Sequence, residues 1–176
     1  MLRRAVATFV LLGTVSFVAA RVCSAQFEPK DYLSEEEADK IRDAGTPSDR
    51  IKLYMAFADD RLKKFDYELN RTTPERRRTD ILNGLLNAYA GCVDDGADQI
   101  AVAREKQMDI HAALKLMQSK LNEHLDELQN YEKNGKNIED YRDSLDDAIQ
   151  GTKDAQSDVE DALKEMLPAP VRRKPS

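Results

Sequence analysis

Residues 82–131 read LNGLLNAYAGCVDDGADQIAVAREKQMDIHAALKLMQSKLNEHLDELQNY. Apolar side chains recur at Leu82, Leu86, Tyr89, Val93, Ile100, Ala103, Ile110, Leu114, Met117, Leu121, Leu128 and Tyr131, with Gly96, Gln107 and His124 completing the series. The steps alternate between four and three without changing phase. That spacing keeps side chains on one face of a helix of 3.6 residues per turn and makes a seam for packing against other helices. No proline interrupts the stretch from Pro74 onward. The pattern therefore predicts one helix over about 74–132, roughly 85 Å long at 1.5 Å per residue. Asp94-Asp95-Gly96 is the place where a turn could divide it.

Working outward, the flanking punctuation is clear. Ser34-Glu35-Glu36-Glu37 has the Ser-x-x-Glu form of a capping box, with Leu33 placed to staple onto Ala38. It opens a short helix over about 35–44 that Gly45 closes. Thr46-Pro47-Ser48-Asp49 starts the next, with Thr46 as cap and Pro47 at the first helical position. Ile51, Met55, Ala58, Leu62, Phe65 and Leu69 form its seam over about 47–71. Thr73-Pro74-Glu75 repeats the start signal. Asn134-Gly135 ends the long stretch, and Asn137 is placed to cap a last helix over about 138–166, with its seam at Tyr141, Leu145, Ala148, Thr152, Ala155, Val159, Ala162 and Met166. No segment alternates with period two, so no strand is predicted. The fold class is all-α. With a continuous central helix, the neighbours form an elongated antiparallel helical bundle of coiled-coil-like hairpins. With a break near Gly96, the same seams form a compact four-helix bundle.

The first 25 residues differ in character from the rest. Arg3 and Arg4 precede an apolar run over 5–20, and Cys23-Ser24-Ala25 places small residues before Gln26. This is the layout of a secretory signal peptide, with the run too short for a spanning helix of ~20 residues. Val18-Ala19-Ala20 offers a second cleavage point. Val22 and Arg21 before Cys23 do not suit lipidation. The domain organisation is then a signal peptide over 1–25, a helical domain over 26–167 and an irregular tail over 168–176 carrying Pro168, Pro170 and Pro175. The expected destination is the periplasm or the exterior. Cleavage removes Cys23 and leaves Cys92 as the single thiol, among apolar residues where a free cysteine behaves as a small buried hydrophobe.

The 176 residues hold 27 Lys and Arg against 33 Asp and Glu, a formal net charge of −6. Removal of Arg3, Arg4 and Arg21 makes the mature chain more acidic still. This excess disfavours a nucleic-acid partner, whose phosphates need a basic surface. The charge is uneven: bases outnumber acids over 47–79, and acids outnumber bases over 138–166. Arg71, Arg76, Arg77 and Arg78 gather at one interhelix turn. The last three are expected in the first helical turn, where the dipole disfavours cations. They form a candidate contact surface for an acidic partner or an anionic surface.

Motifs for chemistry are sparse. Asp94-Asp95-Gly96-Ala97-Asp98 has the DDxxD spacing that holds Mg²⁺ on a diphosphate in prenyl-transferring enzymes. Asp146-Asp147 is the nearest second acidic pair and does not complete the pattern. His111 and His124 lie thirteen residues apart, about 140° around a helix and roughly 20 Å along it, so they cannot share one metal. No catalytic residue, cofactor-binding residue or metal ligand is assigned, and no cofactor is implied. His124 stands on the seam as a polar, register-setting residue.

Glu35-Glu36-Glu37-Ala38-Asp39-Lys40-Ile41-Arg42-Asp43-Ala44, followed by Arg50-Ile51-Lys52-Leu53 and Arg61-Leu62-Lys63-Lys64-Phe65, resembles exported all-helical bacterial proteins without assigned function. The likeness covers about a fifth of the chain and carries over no site residue. It implies a cell-envelope protein. The expected function is a non-enzymatic binding or scaffold protein that meets a protein partner or itself through helical seams and spans no membrane after cleavage. The alternative is a helical-bundle carrier of a small apolar ligand.

Overall fold

The computed structural model describes residues 32–165. The leader over 1–25 and the tail over 168–176 lie outside them. The described chain is all-helical: α1 (Glu35–Asp43), α2 (Pro47–Asn70), α3 (Arg78–Glu105), α4 (His111–Asn134), a 3₁₀ turn over Ile138–Asp140, and α5 (Arg142–Glu165). The starts of α1 and α2 follow their local chemistry. Ser34 and Glu37 form the reciprocal capping box, and Thr46 Oγ1 accepts from the Asp49 N–H at 3.1 Å with Pro47 leading the helix.

The four long helices pack as a bundle. α2 lies against α3 and α4, and α5 lies against the same two from the other side. Asn83 bonds Ser144 near one end of α3, and Arg104 pairs with Glu165 at the other, so α3 and α5 run parallel. Asp59 and Phe65 of α2 meet His124 and Tyr131 of α4 in the same order, so that pair is parallel too. The chain therefore reverses between α3 and α4, where the sequence pattern predicts a single helix over 74–132.

That reversal occupies Lys106–Ile110, not Asp94–Gly96. The Gln107 N–H bonds the Arg104 carbonyl at 3.1 Å, and the Met108 N–H reaches back to Ala103 at 2.9 Å. Gln107 stands between them at φ 52°. This pairing of bonds around a left-handed residue is the Schellman ending of a helix. Met108 folds onto the core, and Asp109 Oδ1 accepts from the His111 N–H at 2.9 Å to start α4. Gly96 instead sits inside α3, and its missing Cβ serves close packing. A Cβ there would lie 3.1 Å from Met55 Cε, 3.5 Å from Tyr54 Cβ and 3.6 Å from Met117 Cε. Helices on two sides hold it in register. Every seam position from Leu82 to Tyr131 is buried except Gln107.

Two other boundaries shift. Thr73-Pro74 does not open α3, which begins at Arg78. The Arg78 guanidinium donates to the Leu69 carbonyl at 2.7 Å and to the Glu68 carbonyl at 3.3 Å, capping the end of α2. The segment between the helices is spent on the reversal that brings this side chain there. Asn137 is not a side-chain cap but a left-handed residue at φ 51° leading into the 3₁₀ turn. The turn swings Tyr141 inward, where its ring meets Phe65 edge-on at 5.2 Å while Tyr131 meets the same ring at 5.0 Å. α5 then starts at Arg142.

Candidate functional site

The arginine turn breaks into separate roles. Arg71 pairs with Glu75 at 2.8 Å and Glu68 at 3.3 Å. Arg78 is the cap of α2 and the first residue of α3, so the dipole argument applies to it alone. Arg77 precedes α3 at its N-cap position, is exposed, and pairs with Asp80 at 2.9 Å. Arg76 is exposed. Arg76, Arg77, Glu75, Asp80 and Ile81 line a shallow surface cleft. Of the four candidates, Arg76 and Arg77 are exposed, Arg71 is half-buried in its pairs with Glu68 and Glu75, and Arg78 turns back onto the end of α2.

The aspartates of the DDxxD segment do not converge. Asp94 and Asp98 are exposed, whereas Asp95 is buried and accepts a hydrogen bond from the Tyr32 hydroxyl. One-turn spacing on an exposed helix puts the first and last on one side and sends the middle one into the bundle. Asp146 and Asp147 are exposed on α5. Among the described residues, no three His, Cys, Asp or Glu side chains are grouped to hold a metal ion. Cys92 is fully buried in the core.

The bundle interior contains one polar layer to which every long helix contributes. His124 of α4, 3% exposed, shares a 2.6 Å hydrogen bond between Nε2 and Asp59 Oδ1 of α2. Lys120 approaches Asp59 Oδ2 at 3.2 Å. Burial pushes the Asp59 carboxyl up, but the bonds from His124 and Lys120 outweigh it and hold it below the usual aspartate value. With Asp59 ionised, Nε2 carries the proton of that bond. Tyr89 of α3 meets the imidazole edge-on at 5.5 Å. Its hydroxyl lies 2.8 Å from Thr152 Oγ1 of α5, which itself donates to the Ala148 carbonyl at 2.7 Å. Burial drives the Tyr89 phenol well above its ordinary range, so it stays a neutral donor. Buried hydrogen-bonded groups at seam positions specify which helices meet and in which register.

A second constellation joins α1 to the bundle, and here sequence reading missed its members. Arg61 on α2 is only 7% exposed. Its two terminal nitrogens reach Glu37 of α1 at 2.8 and 2.6 Å, and one of them also donates to the Tyr32 carbonyl at 3.1 Å. This forked bond holds the Glu37 carboxyl down at about 2. Tyr32 lays its ring over Gly91 of α3, where a Cβ would come within 2.8 Å of the ring. Arg61 falls just ahead of the seam residue Leu62, and that flanking place on an inward face was the available signal.

No family model, curated protein or solved structure matches this chain. Among the described residues, no helix is long and apolar enough to cross a membrane. The fold and these constellations define an all-α helical bundle.

Proposed function

We propose that this chain is a non-enzymatic helical binding or scaffold protein that works through its outer surfaces, outside the cytoplasm. The observation that carries this reading is the way the interior is filled. Tyr89, Tyr141, Phe65, Met55, Leu114 and Met117 are fully buried, and Met55 and Met117 close on the gap left by Gly96. A carrier of a small apolar ligand needs that volume between its helices. Here side chains of the chain occupy it, which favours the scaffold reading over the carrier. The charged leader and apolar run over 1–25 support export. The outward-facing Arg76 and Arg77 are the part of the arginine turn left for contact with an acidic partner or an anionic surface.

Crosslinking and copurification from the envelope fraction of the native host test this reading, with native mass spectrometry on the same material. A defined heterocomplex or homo-oligomer is the expected outcome. A stoichiometric small molecule on a monomer would replace the scaffold with the carrier.

A further inference from the structure

We infer that Asn70 is the acceptor of an N-linked saccharide, and that a hollow between the ends of α2 and α4 seats its first sugar. The inference rests on the export part of the reading above and adds a modification to it.

The chain contains seven asparagines, and Asn70 alone has Ser or Thr two places on, in Asn70-Arg71-Thr72. Asn-x-Ser/Thr, with x other than proline, is the acceptor motif for N-linked sugar in exported proteins. Glu68 adds an acid two places before the asparagine, so Glu68-Leu69-Asn70-Arg71-Thr72 also satisfies the longer motif that bacterial transferases read. The fold leaves room for the product. Asn70 is exposed and is the last residue of α2, and residues 72–77 after it are exposed and outside the helix. A bulky polar group is accommodated at such a surface turn without disturbing the core.

The surface beside Asn70 carries the second observation. A hollow of about 120 Å³ is lined by Asp66 and Asn70 of α2, by Asn130, Tyr131 and Asn134 of α4, and by Lys136. Asn134 Nδ2 donates to Asn130 Oδ1 at 2.8 Å. That bond leaves the Asn130 amide as a donor and the Asn134 carbonyl as an acceptor. Lys136 is exposed and pairs with no carboxylate among the described residues. Sugar hydroxyls both donate and accept, so a ring standing on Asn70 meets a matching mixed set. Asn70 Nδ2 now donates to the Asp66 carbonyl at 3.0 Å and to Asp66 Oδ1 at 2.9 Å. The glycosylated amide keeps one N–H, enough for one of those bonds.

The transfer balances without a redox partner. Asn70 Nδ2 bonds to the anomeric carbon of a saccharide carried on a lipid diphosphate. The bond from that carbon to the diphosphate oxygen breaks, the lipid diphosphate leaves with the electron pair, and the amide proton passes to a base of the transferase. In the fold Arg71 is tied to Glu68 and Glu75, so the motif is open to an enzyme only before α2 has closed. Export supplies that moment.

The test is mass spectrometry of the full chain purified from the envelope of its native host. The peptide holding Asn70 should carry a mass made of whole sugar residues. Asn70→Gln and Thr72→Ala should each lose it completely, and Thr72→Ser should keep it. A chain that has lost its leader and carries a bare Asn70 overturns the glycosylation and leaves export standing. A bare chain that keeps its leader overturns both. Sugar that persists in Thr72→Ala overturns the assignment to Asn70. Enzymatic removal of the sugar should move the NMR amide signals of Asn130, Asn134 and Lys136, and movement confined to the neighbours of Asn70 in sequence overturns the seat.

Discussion

Arg61 and Glu37, twenty-four positions apart, form a forked ion pair in which the arginine is almost fully enclosed and the carboxylate is supplied by a helix of nine residues. The same guanidinium holds the Tyr32 carbonyl, so one side chain of α2 ties two points of the preceding segment. Glu37 also accepts from the Ser34 N–H, so the carboxylate that caps α1 is the one that docks it. Formation of α1 and its attachment are thereby one event.

The pH dependence of that attachment follows from Glu37. Its carboxyl sits at about 2 in the fold, against an ordinary value of 4.5. A group lowered by folding contributes stability that is complete above the unfolded value and is lost as pH falls through the folded one. Protection of the α1 amides should therefore be constant above pH 4.5 and decline between 4.5 and about 2. Glu37→Gln should give low protection with no such decline, measured by hydrogen exchange at a series of pH values.

The α4 seam predicts an asymmetric pair. Leu114 is fully buried, and Leu116, two residues away, is 40% exposed. Leu114→Ala should cost ~2–4 kcal/mol in urea unfolding, the range for emptying a buried leucine site. Leu116→Ala should cost under ~1 kcal/mol. Equal losses would place the wrong face inward.

Gln107 distinguishes the observed turn from an uninterrupted helix by the sign of one substitution. At φ 52° a side chain costs roughly 1–2 kcal/mol that glycine avoids. Gln107→Gly should leave stability equal or raise it by up to ~1 kcal/mol, after glycine's own entropy is set against that gain. In a continuous helix the same change would lower stability by ~1 kcal/mol. Thermal melts of the two proteins decide it.

The arginine turn predicts a split between its members. Arg78→Ala removes a charged donor from two carbonyls at the end of α2 and should destabilise by ~1–2 kcal/mol. Arg76→Glu with Arg77→Glu should move stability by no more than ~0.5 kcal/mol, since the exposed Arg77–Asp80 pair is worth little. If these two arginines contact an anionic surface, the double change should abolish cosedimentation with anionic vesicles or cell wall. Raised salt should do the same to the unaltered protein, because exposed charges are screened beyond ~8 Å at physiological ionic strength. Cosedimentation that ignores both salt and mutation removes the arginines as a contact surface.

The all-helical class, the starts of α1 and α2 and the buried face of each long helix are legible in the order of the residues. These depend on interactions within a few residues: a Ser34 hydroxyl and a Glu37 carboxylate one turn apart, a Pro47 that suits a first turn, and apolar spacing that matches 3.6 residues per turn. The place where the chain reverses between α3 and α4 emerges only from the packing of the helices. Gly96 carried the turn signal but is clamped in helix by Met55 and Met117, whereas the exposed Gln107 carries none and stands at the left-handed turn between α3 and α4. The heptad phase ran unbroken through that turn, so periodicity was blind to it. The Asp59–His124 and Tyr89–Thr152 bonds, and the grip of Arg61 on Glu37, join residues 24 to 65 positions apart. No local preference encodes such pairs. They exist because the packing order of the helices brings these polar groups within bonding distance inside the bundle.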